Sequence, residues 1–255
     1  SPLAFTGNKF EFRMLGSSQS IADSNVALNT IMAEELGKFA DILENAENFD
    51  ATLQKLVCDT LTEHQRIIFN GNGYSDEWKE EAARRGLSNH SNTAHALPTY
   101  ISQKNIDLVT KHGIFTESEF RARYEIHMQS YKKVIAIEAR TCVDMVLHQI
   151  LPASLHYSRD LTKSVLDKNV IGVTCAAEQS LLNRLSEACD RLYEKCQALS
   201  DMLAAIPEQT EAAVNYMSNT IVPAMEILRE DADLLEQLTD KAYWPYPTYS
   251  DLLFY

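Results

Sequence analysis

Three charged residues near the start of the chain alternate with apolar ones in a pattern suited to binding a metal ion and anionic oxygens. Lys9, Glu11 and Arg13 are separated by Phe10 and Phe12. Successive side chains of a strand point to opposite faces, so the three charges would share one face at intervals of about 7 Å. Hard divalent cations prefer carboxylate ligands, and a guanidinium binds phosphoryl or carboxylate groups through paired hydrogen bonds. The alternative is an ordinary antiparallel strand with a solvated charged face.

The elements that must position this strand are almost all helical. After residue 20, apolar residues recur with helical spacing over residues 28–39, 49–69, 117–151 and 181–239. Thr116 and Glu119 form a capping box that should open a helix of about thirty-five residues, which Pro152 is expected to kink or end. The sequence therefore predicts a mainly α fold, in which long antiparallel helices form a bundle behind a short amino-terminal strand.

The most regular apolar pattern lies between residues 181 and 239. Leu185, Cys189, Leu192, Cys196 and Leu199 are spaced by alternating steps of four and three, and a second run continues from residue 221 to residue 235. This spacing predicts two long helices that are joined near residue 207 and packed as an antiparallel hairpin. A proline at position 223 predicts a kink in the second helix. The repeated apolar face is interpreted as core packing rather than as a cofactor site.

Other polar residues are expected to have structural roles rather than catalytic or ligand-binding ones. Gly71-Asn72-Gly73 lacks a phosphate-binding fingerprint and is expected to end a helix. Arg84 and Arg85 are expected to lie at a solvated helix end. His90 and His95 are five residues apart, which does not suit a chelating pair on one helical face, so they are expected to be loop or hydrogen-bonded core residues.

Composition excludes several classes of function. The 255 residues carry 36 acidic and 23 basic side chains, a formal net charge of −13, which disfavours binding to a nucleic-acid backbone. No apolar run approaches the roughly 20 residues needed to cross a bilayer. The five cysteines lack CxxC spacing and are expected to be reduced core residues of a cytoplasmic protein.

The last fourteen residues, 242–255, are rich in aromatic side chains and contain Pro245 and Pro247. Leaving so much aromatic area in water is unfavourable. We expect this segment to dock as an extended tail, on its own helical bundle rather than on a neighbouring subunit.

Several segments resemble glutamine synthetase, and most closely its type III branch. The run Gly7-Asn8-Lys9-Phe10-Glu11-Phe12-Arg13-Met14-Leu15-Gly16 is similar to the last part of that family's catalytic domain. Phe69-Asn70-Gly71-Asn72-Gly73, Asn89-His90-Ser91-Asn92 and Tyr243-Trp244-Pro245-Tyr246-Pro247 resemble its carboxyl-terminal region. The resemblance implies that residues 1–70 end an α+β catalytic domain, of which the strand is a remnant. Residues 71–255 would then form a helical carboxyl-terminal domain with its aromatic tail.

The resemblance assigns roles to the three charged residues. Glu11 matches a ligand of an active-site divalent cation, Mg²⁺ or Mn²⁺. Arg13 matches a catalytic residue at the substrate glutamate and the transferring phosphoryl group, and Lys9 matches a contact to the phosphates of ATP. Most branches of the family carry arginine at the position of Lys9, so this sequence departs from the pattern there.

The activity implied is ATP-dependent joining of glutamate and ammonia into glutamine through a γ-glutamyl phosphate intermediate, within a homo-oligomeric ring. The family's remaining ligands lie upstream of the strand and have no counterpart here, so the chain is expected to be a fragment that is inactive alone. The alternative function is a non-catalytic helical scaffold that binds another protein.

Overall fold

The computed structural model describes residues 3–5, 9–12 and 20–253. Two three-residue strands, β1 (Leu3–Phe5) and β2 (Phe10–Phe12), pair antiparallel, with Ala4 opposite Glu11. All other regular elements of the described residues are helical. By its internal contacts the chain divides into two compact units, Ser1–Tyr124 and Glu125–Tyr255. The domain boundary predicted between residues 70 and 71 is a different division and stays a prediction.

The described residues of the first unit form five α-helices, besides the start of a sixth and a 3₁₀ turn at Gln65–Ile67. They are α1 (Ala22–Leu43), α2 (Phe49–Glu63), α3 (Asp76–Arg84), α4 (Thr93–Tyr100) and α5 (Gln103–Lys111). Helix α1 packs on α2 and α5, and a small core forms around Ile106, Val109 and Phe120. These helices support the prediction of a mainly helical chain.

His90 lies in a loop, as expected, and helix α4 corrects the expectation for His95. His95 lies in α4, not in a loop or in the core, and its side chain is exposed. The side chain of Asn92 caps α4 by accepting a hydrogen bond from the His95 backbone N–H at 2.9 Å. An asparagine cap supplies the partner that the first helical N–H groups lack. This local capping allows a short helix to form even though Pro98 lies inside it.

The second unit is a helical bundle. Its long helices are α6 (Glu117–Met145), which begins in the first unit, α7 (Leu151–Val170), α8 (Ala176–Ala204), α9 (Thr210–Tyr216) and α10 (Val222–Leu238). The predicted apolar run of α8 is buried from Leu185 to Leu199. Helix α8 packs on α7 and α10, and cross-helix contacts pair residue 191 with 231 and residue 195 with 227. Because one number rises as the other falls, α8 and α10 are antiparallel, as predicted.

The capping box at the start of α6 is confirmed. The Thr116 backbone N–H donates to the Glu119 carboxylate at 2.8 Å, and the Glu119 N–H donates to the Thr116 hydroxyl at 3.3 Å. Two backbone donors that the helix leaves unpaired are thereby satisfied.

Pro152 does not end its helix. A π-helical turn, Val146–Ile150, joins α6 to α7, and the helical path continues to Val170. A second π-helical turn, Met217–Ile221, comes immediately before α10, whose second residue is Pro223. The proline ring crowds the preceding turn of a helix, and a wider turn relieves this crowding.

The aromatic tail makes a turn at residues 241–243 and has no regular secondary structure at residues 244–248. Trp244 and Tyr246 pack on the core of the second unit, and the Tyr243 hydroxyl donates to Asp160 at 2.5 Å. The extended conformation predicted for the whole tail is wrong beyond residue 248, where a short helix α11 (Tyr249–Leu253) forms. The Thr248 N–H donates to the Asp251 carboxylate at 2.9 Å, which is again a helix-capping arrangement.

The cysteines partly follow the prediction. Cys175, Cys189 and Cys196 are buried and Cys142 is partly buried, whereas Cys58 is exposed on α2 and is not a core residue. All five are free thiols.

Candidate functional site

The strand pair holds two of the three charged residues predicted to do chemistry. Glu11 is the central residue of β2 and is partly exposed, and Lys9 lies just before β2 with its side chain exposed. Arg13 lies outside the described residues. The backbone of Phe10–Phe12 is extended, and it pairs with β1 so that Glu11 lies opposite Ala4.

Glu11 has the donor chemistry for a hard cation but does not form a metal site with the rest of the described chain. A carboxylate oxygen is a suitable Mg²⁺ ligand. The described residues contain no group of three or more His, Cys, Asp or Glu side chains placed to hold a metal ion.

A second charged cluster links α1 to the end of α5. The Glu34 carboxylate lies 2.8 Å from the Lys111 ammonium and 2.8 Å from the His112 ring nitrogen Nε2, and Lys38 lies 3.5 Å away. The hydrogen bond from Lys111, with that from His112, lowers the pKa of Glu34 to about 2. A carboxylate that is always ionised and paired on several sides is a poor general base. We interpret this cluster as structural.

Arg85 corrects the expectation of a solvated helix end. Its guanidinium donates to the backbone carbonyl of Ile68 at 2.8 Å and to that of Arg66 at 3.2 Å. It also lies 5.6 Å from the centre of the Trp78 ring and 2.5 Å from a Glu81 oxygen. Through these hydrogen bonds and the cation–π attraction, the guanidinium holds α3 against the preceding segment. Arg85 is thus a packing residue rather than an anion site.

Among the described residues the most buried charge is Asp231 on α10, which is 5% exposed. One carboxylate oxygen accepts from Arg191 at 3.0 Å and the other lies 2.6 Å from the Lys195 ammonium. Burial favours the neutral acid, but the two cations of α8 outweigh it and hold the pKa of Asp231 below its ordinary value. Sequence reasoning missed this residue, although a spacing of three from Leu228 and four from Leu235 places it on the buried face.

One further feature could hold a ligand. A cleft of about 240 Å³ opens beside α1 in the first unit. No helix among the described residues combines the length and the apolar character that crossing a membrane requires.

The comparisons with known proteins agree on one family. Residues 52–169 match the model of the glutamine synthetase C-terminal domain. The whole chain aligns at 35% identity over 261 residues with glutamine synthetase of Butyrivibrio fibrisolvens, covering 37% of that protein. It aligns at 35% identity over 268 residues with the type-3 glutamine synthetase of Dictyostelium discoideum, covering 36%. The predicted resemblance is confirmed, and the chain spans little more than a third of the length of these curated relatives.

Proposed function

We propose that this chain is the carboxyl-terminal part of an ATP-dependent glutamate–ammonia ligase, because it is similar to glutamine synthetases over its whole length. The observation that carries this proposal is the extent of the similarity, which covers all of this chain and not only the helical region. The segment around β2, where Lys9, Glu11 and Arg13 alternate with apolar residues, is thus part of the similar region.

In this proposal each charged residue has a role that suits its side chain. Glu11 supplies one oxygen ligand to a divalent cation, Mg²⁺ or Mn²⁺, which when bound neutralises charge on the phosphoryl group in transfer. Arg13 binds the oxygens of glutamate and of that phosphoryl group, since its planar guanidinium can donate two parallel hydrogen bonds. Lys9 contributes a point charge toward the phosphates of ATP.

The reaction joins two substrates through an activated acid. The side-chain carboxylate of glutamate attacks the γ-phosphorus of ATP, which releases ADP and forms γ-glutamyl phosphate. Ammonia then attacks the carbonyl carbon, phosphate leaves, and the attacking nitrogen loses a proton as glutamine forms. The residues of this chain orient and neutralise anionic oxygens in the first step.

In this proposal the active-site residues are divided between this chain and the rest of the full-length protein. We propose that the remaining metal ligands come from sequence corresponding to the other two thirds of the relatives, since this chain covers only 36–37% of their length. The intact protein is proposed to act as a homo-oligomer in the cytoplasm.

The test measures ADP release with glutamate, ammonia, ATP and Mg²⁺. The 255-residue chain alone should release no ADP above background, whereas the full-length protein that contains it should release ADP in a glutamate-dependent manner. Turnover by the 255-residue chain would contradict the proposal that the remaining ligands lie outside this chain. A full-length protein that folds but never releases ADP would favour the non-catalytic scaffold instead.

A further inference from the structure

Helix α1 presents an apolar face that the described part of the chain leaves largely in solvent. The face is formed by Ile21, Leu28, Met32 and Leu36, whose spacings of seven, four and four residues place them along one side of the helix. Ile21, Met32 and Leu36 are each more than half exposed, and Leu28 is partly exposed. We call these four side chains the exposed α1 face.

The opposite side of α1 is the one that packs within the first unit. Thr30 is two residues from Met32 and therefore about half a helical turn away from it. Among the described residues it is the only buried one of α1, and it lines a cleft together with Asn105 and Leu108 of α5. Most of the stability of a helix in a protein comes from packing its apolar face, whereas α1 leaves large apolar side chains on its solvated side. A contiguous apolar surface of this kind marks a site of interaction.

The neighbouring helix α2 has the same property. No residue of α2 is buried in the described chain, and Val57 and Leu61, four residues apart, are each at least half exposed. By contrast, α8 in the second unit buries six of its residues. The shortage of burial is therefore a feature of α1 and α2 and not of the whole chain.

The charges of these two helices argue against a second copy of the chain as the partner. Helix α1 carries four acidic side chains and one basic one, and α2 carries three acidic side chains and one basic one. A twofold contact pairs the same surface of both copies, so it would bring two acidic surfaces together, and like charges repel.

The curated relatives indicate a different partner. The chain covers only 36–37% of the length of the two relatives that align with all of it, so most of the length of such a protein lies outside it. The match to the C-terminal domain begins at residue 52, whereas α1 ends at Leu43. Helix α1 therefore lies before the segment that resembles the C-terminal domain.

We propose that the exposed α1 face is covered, in the full-length protein, by an apolar surface of the upstream part of the same polypeptide. The inference rests on the proposed function only in taking this chain as the carboxyl-terminal part of a longer protein. Because β2 comes shortly before α1 in the sequence, the same contact would hold the segment of Glu11 beside the upstream sequence that supplies the other metal ligands.

The test replaces Leu36 of the full-length protein by the photo-reactive residue benzoylphenylalanine. After irradiation, peptide mass spectrometry should find cross-links from position 36 to upstream sequence, in a product that has the mass of one chain. The matched control is the same replacement at Asp41, which is exposed on the side of α1 away from Met32 and should give no such cross-link. Cross-links to residues 1–255 alone, a product of two chains, no cross-link, or equal cross-linking from position 41 would each overturn the proposal.

Met32 gives a second measurement that needs no substitution. Its exposed thioether should be oxidised readily by hydrogen peroxide in the 255-residue chain and at least about tenfold more slowly in the full-length protein, where it is covered. Met217, which is 0% exposed, should be oxidised slowly in both. Equal rates for Met32 in the two proteins would contradict the proposal.

Neither measurement depends on ligase activity. A full-length protein that gives the expected cross-links but releases no ADP would refute the proposed function and leave this inference in place. A full-length protein that releases ADP but gives no cross-link from position 36 would do the reverse.

Discussion

The Asp231 carboxylate on α10 lies 2.6 Å from the Lys195 ammonium on α8, and the acid is 5% exposed. Arg191, one helical turn away on α8, reaches the other oxygen of the same carboxylate. A buried charge is tolerated only when it is paired, and the observed alignment of the two helices supplies both cationic partners. The contact therefore favours the observed register of the α8–α10 hairpin.

We expect Asp231→Ala to lower the free energy of unfolding by about 2 kcal/mol, because charge-assisted hydrogen bonds are lost and two cations lose their partner. The matched control is Asp233→Ala on the same helix. Asp233 pairs with Arg229 while more than half exposed, so its loss should cost less than about 0.5 kcal/mol. Urea denaturation measures the free energy of unfolding of both variants. Equal losses in the two variants would contradict the register role.

The same contact predicts how stability depends on pH. Folding lowers the pKa of Asp231 below its ordinary value of 3.8. The stabilisation is therefore fully present above the unfolded pKa and is lost as the pH falls through the folded pKa.

Glu34 should contribute to acid sensitivity in the first unit. Its pKa is about 2 in the folded chain and 4.5 ordinarily, so its stabilisation is present above pH 4.5 and disappears between pH 4.5 and 2. Glu34→Gln removes this titration, and its urea midpoint should fall less steeply than that of wild type below pH 4.5. Glu35→Gln, on the exposed side of α1, is the control. A Glu34→Gln profile parallel to wild type would refute the assignment.

Substitution by alanine should have opposite effects on stability at Gly71 and at Gly37. A Cβ at Gly71 would lie 2.4 Å from the Phe69 ring, which is stacked on Trp78 with centres 4.1 Å apart. Gly71→Ala should displace the ring and cost about 1 kcal/mol. A Cβ at Gly37, inside α1, meets nothing within 4 Å, so Gly37→Ala should stabilise by about 0.5–1 kcal/mol. Thermal denaturation checks both signs, and a neutral Gly71→Ala would show that the stack relaxes freely.

The cysteines should differ in their reaction with a thiol reagent such as Ellman's reagent. Cys58 is exposed and should react first in the native chain. Cys189 is buried, and burial raises its pKa to about 11, so it should react only when the bundle opens. Cys58→Ser should remove the fast phase and leave the slow phase unchanged. A fast phase that survives this substitution would mean that the bundle core is open.

The spacing of residues in the sequence predicted those structural features whose interacting residues lie in the same helix or in the adjacent one. The Thr116–Glu119 box and the buried apolar run of α8 are set by short-range spacing, so they could be found in the sequence. The π-helical turn before Pro152 depends on how the missing N–H is accommodated, and spacing does not encode that choice. Arg85 was missed because its partners, the carbonyls of Arg66 and Ile68, lie 19 and 17 residues away.

Less of the candidate site than of the fold could be predicted from the sequence. Alternation identified Lys9, Glu11 and Arg13 as residues that could share a face, and Phe10–Phe12 forms a strand. The partners of a metal or phosphoryl site are brought together by tertiary structure, and a single strand cannot specify them. The roles of the three residues stay proposals.

The most direct test of the central claim is ligase activity of the full-length protein carrying Glu11→Ala. Glu44→Ala, at the exposed end of α1, is the matched control, and the urea midpoint of each variant reports the fold. The account predicts that Glu11→Ala loses at least about a hundredfold in glutamate-dependent ADP release, on the order of 2.7 kcal/mol of transition-state stabilisation, with an unchanged urea midpoint. Activity within twofold of wild type would contradict the assignment of Glu11 as a metal ligand.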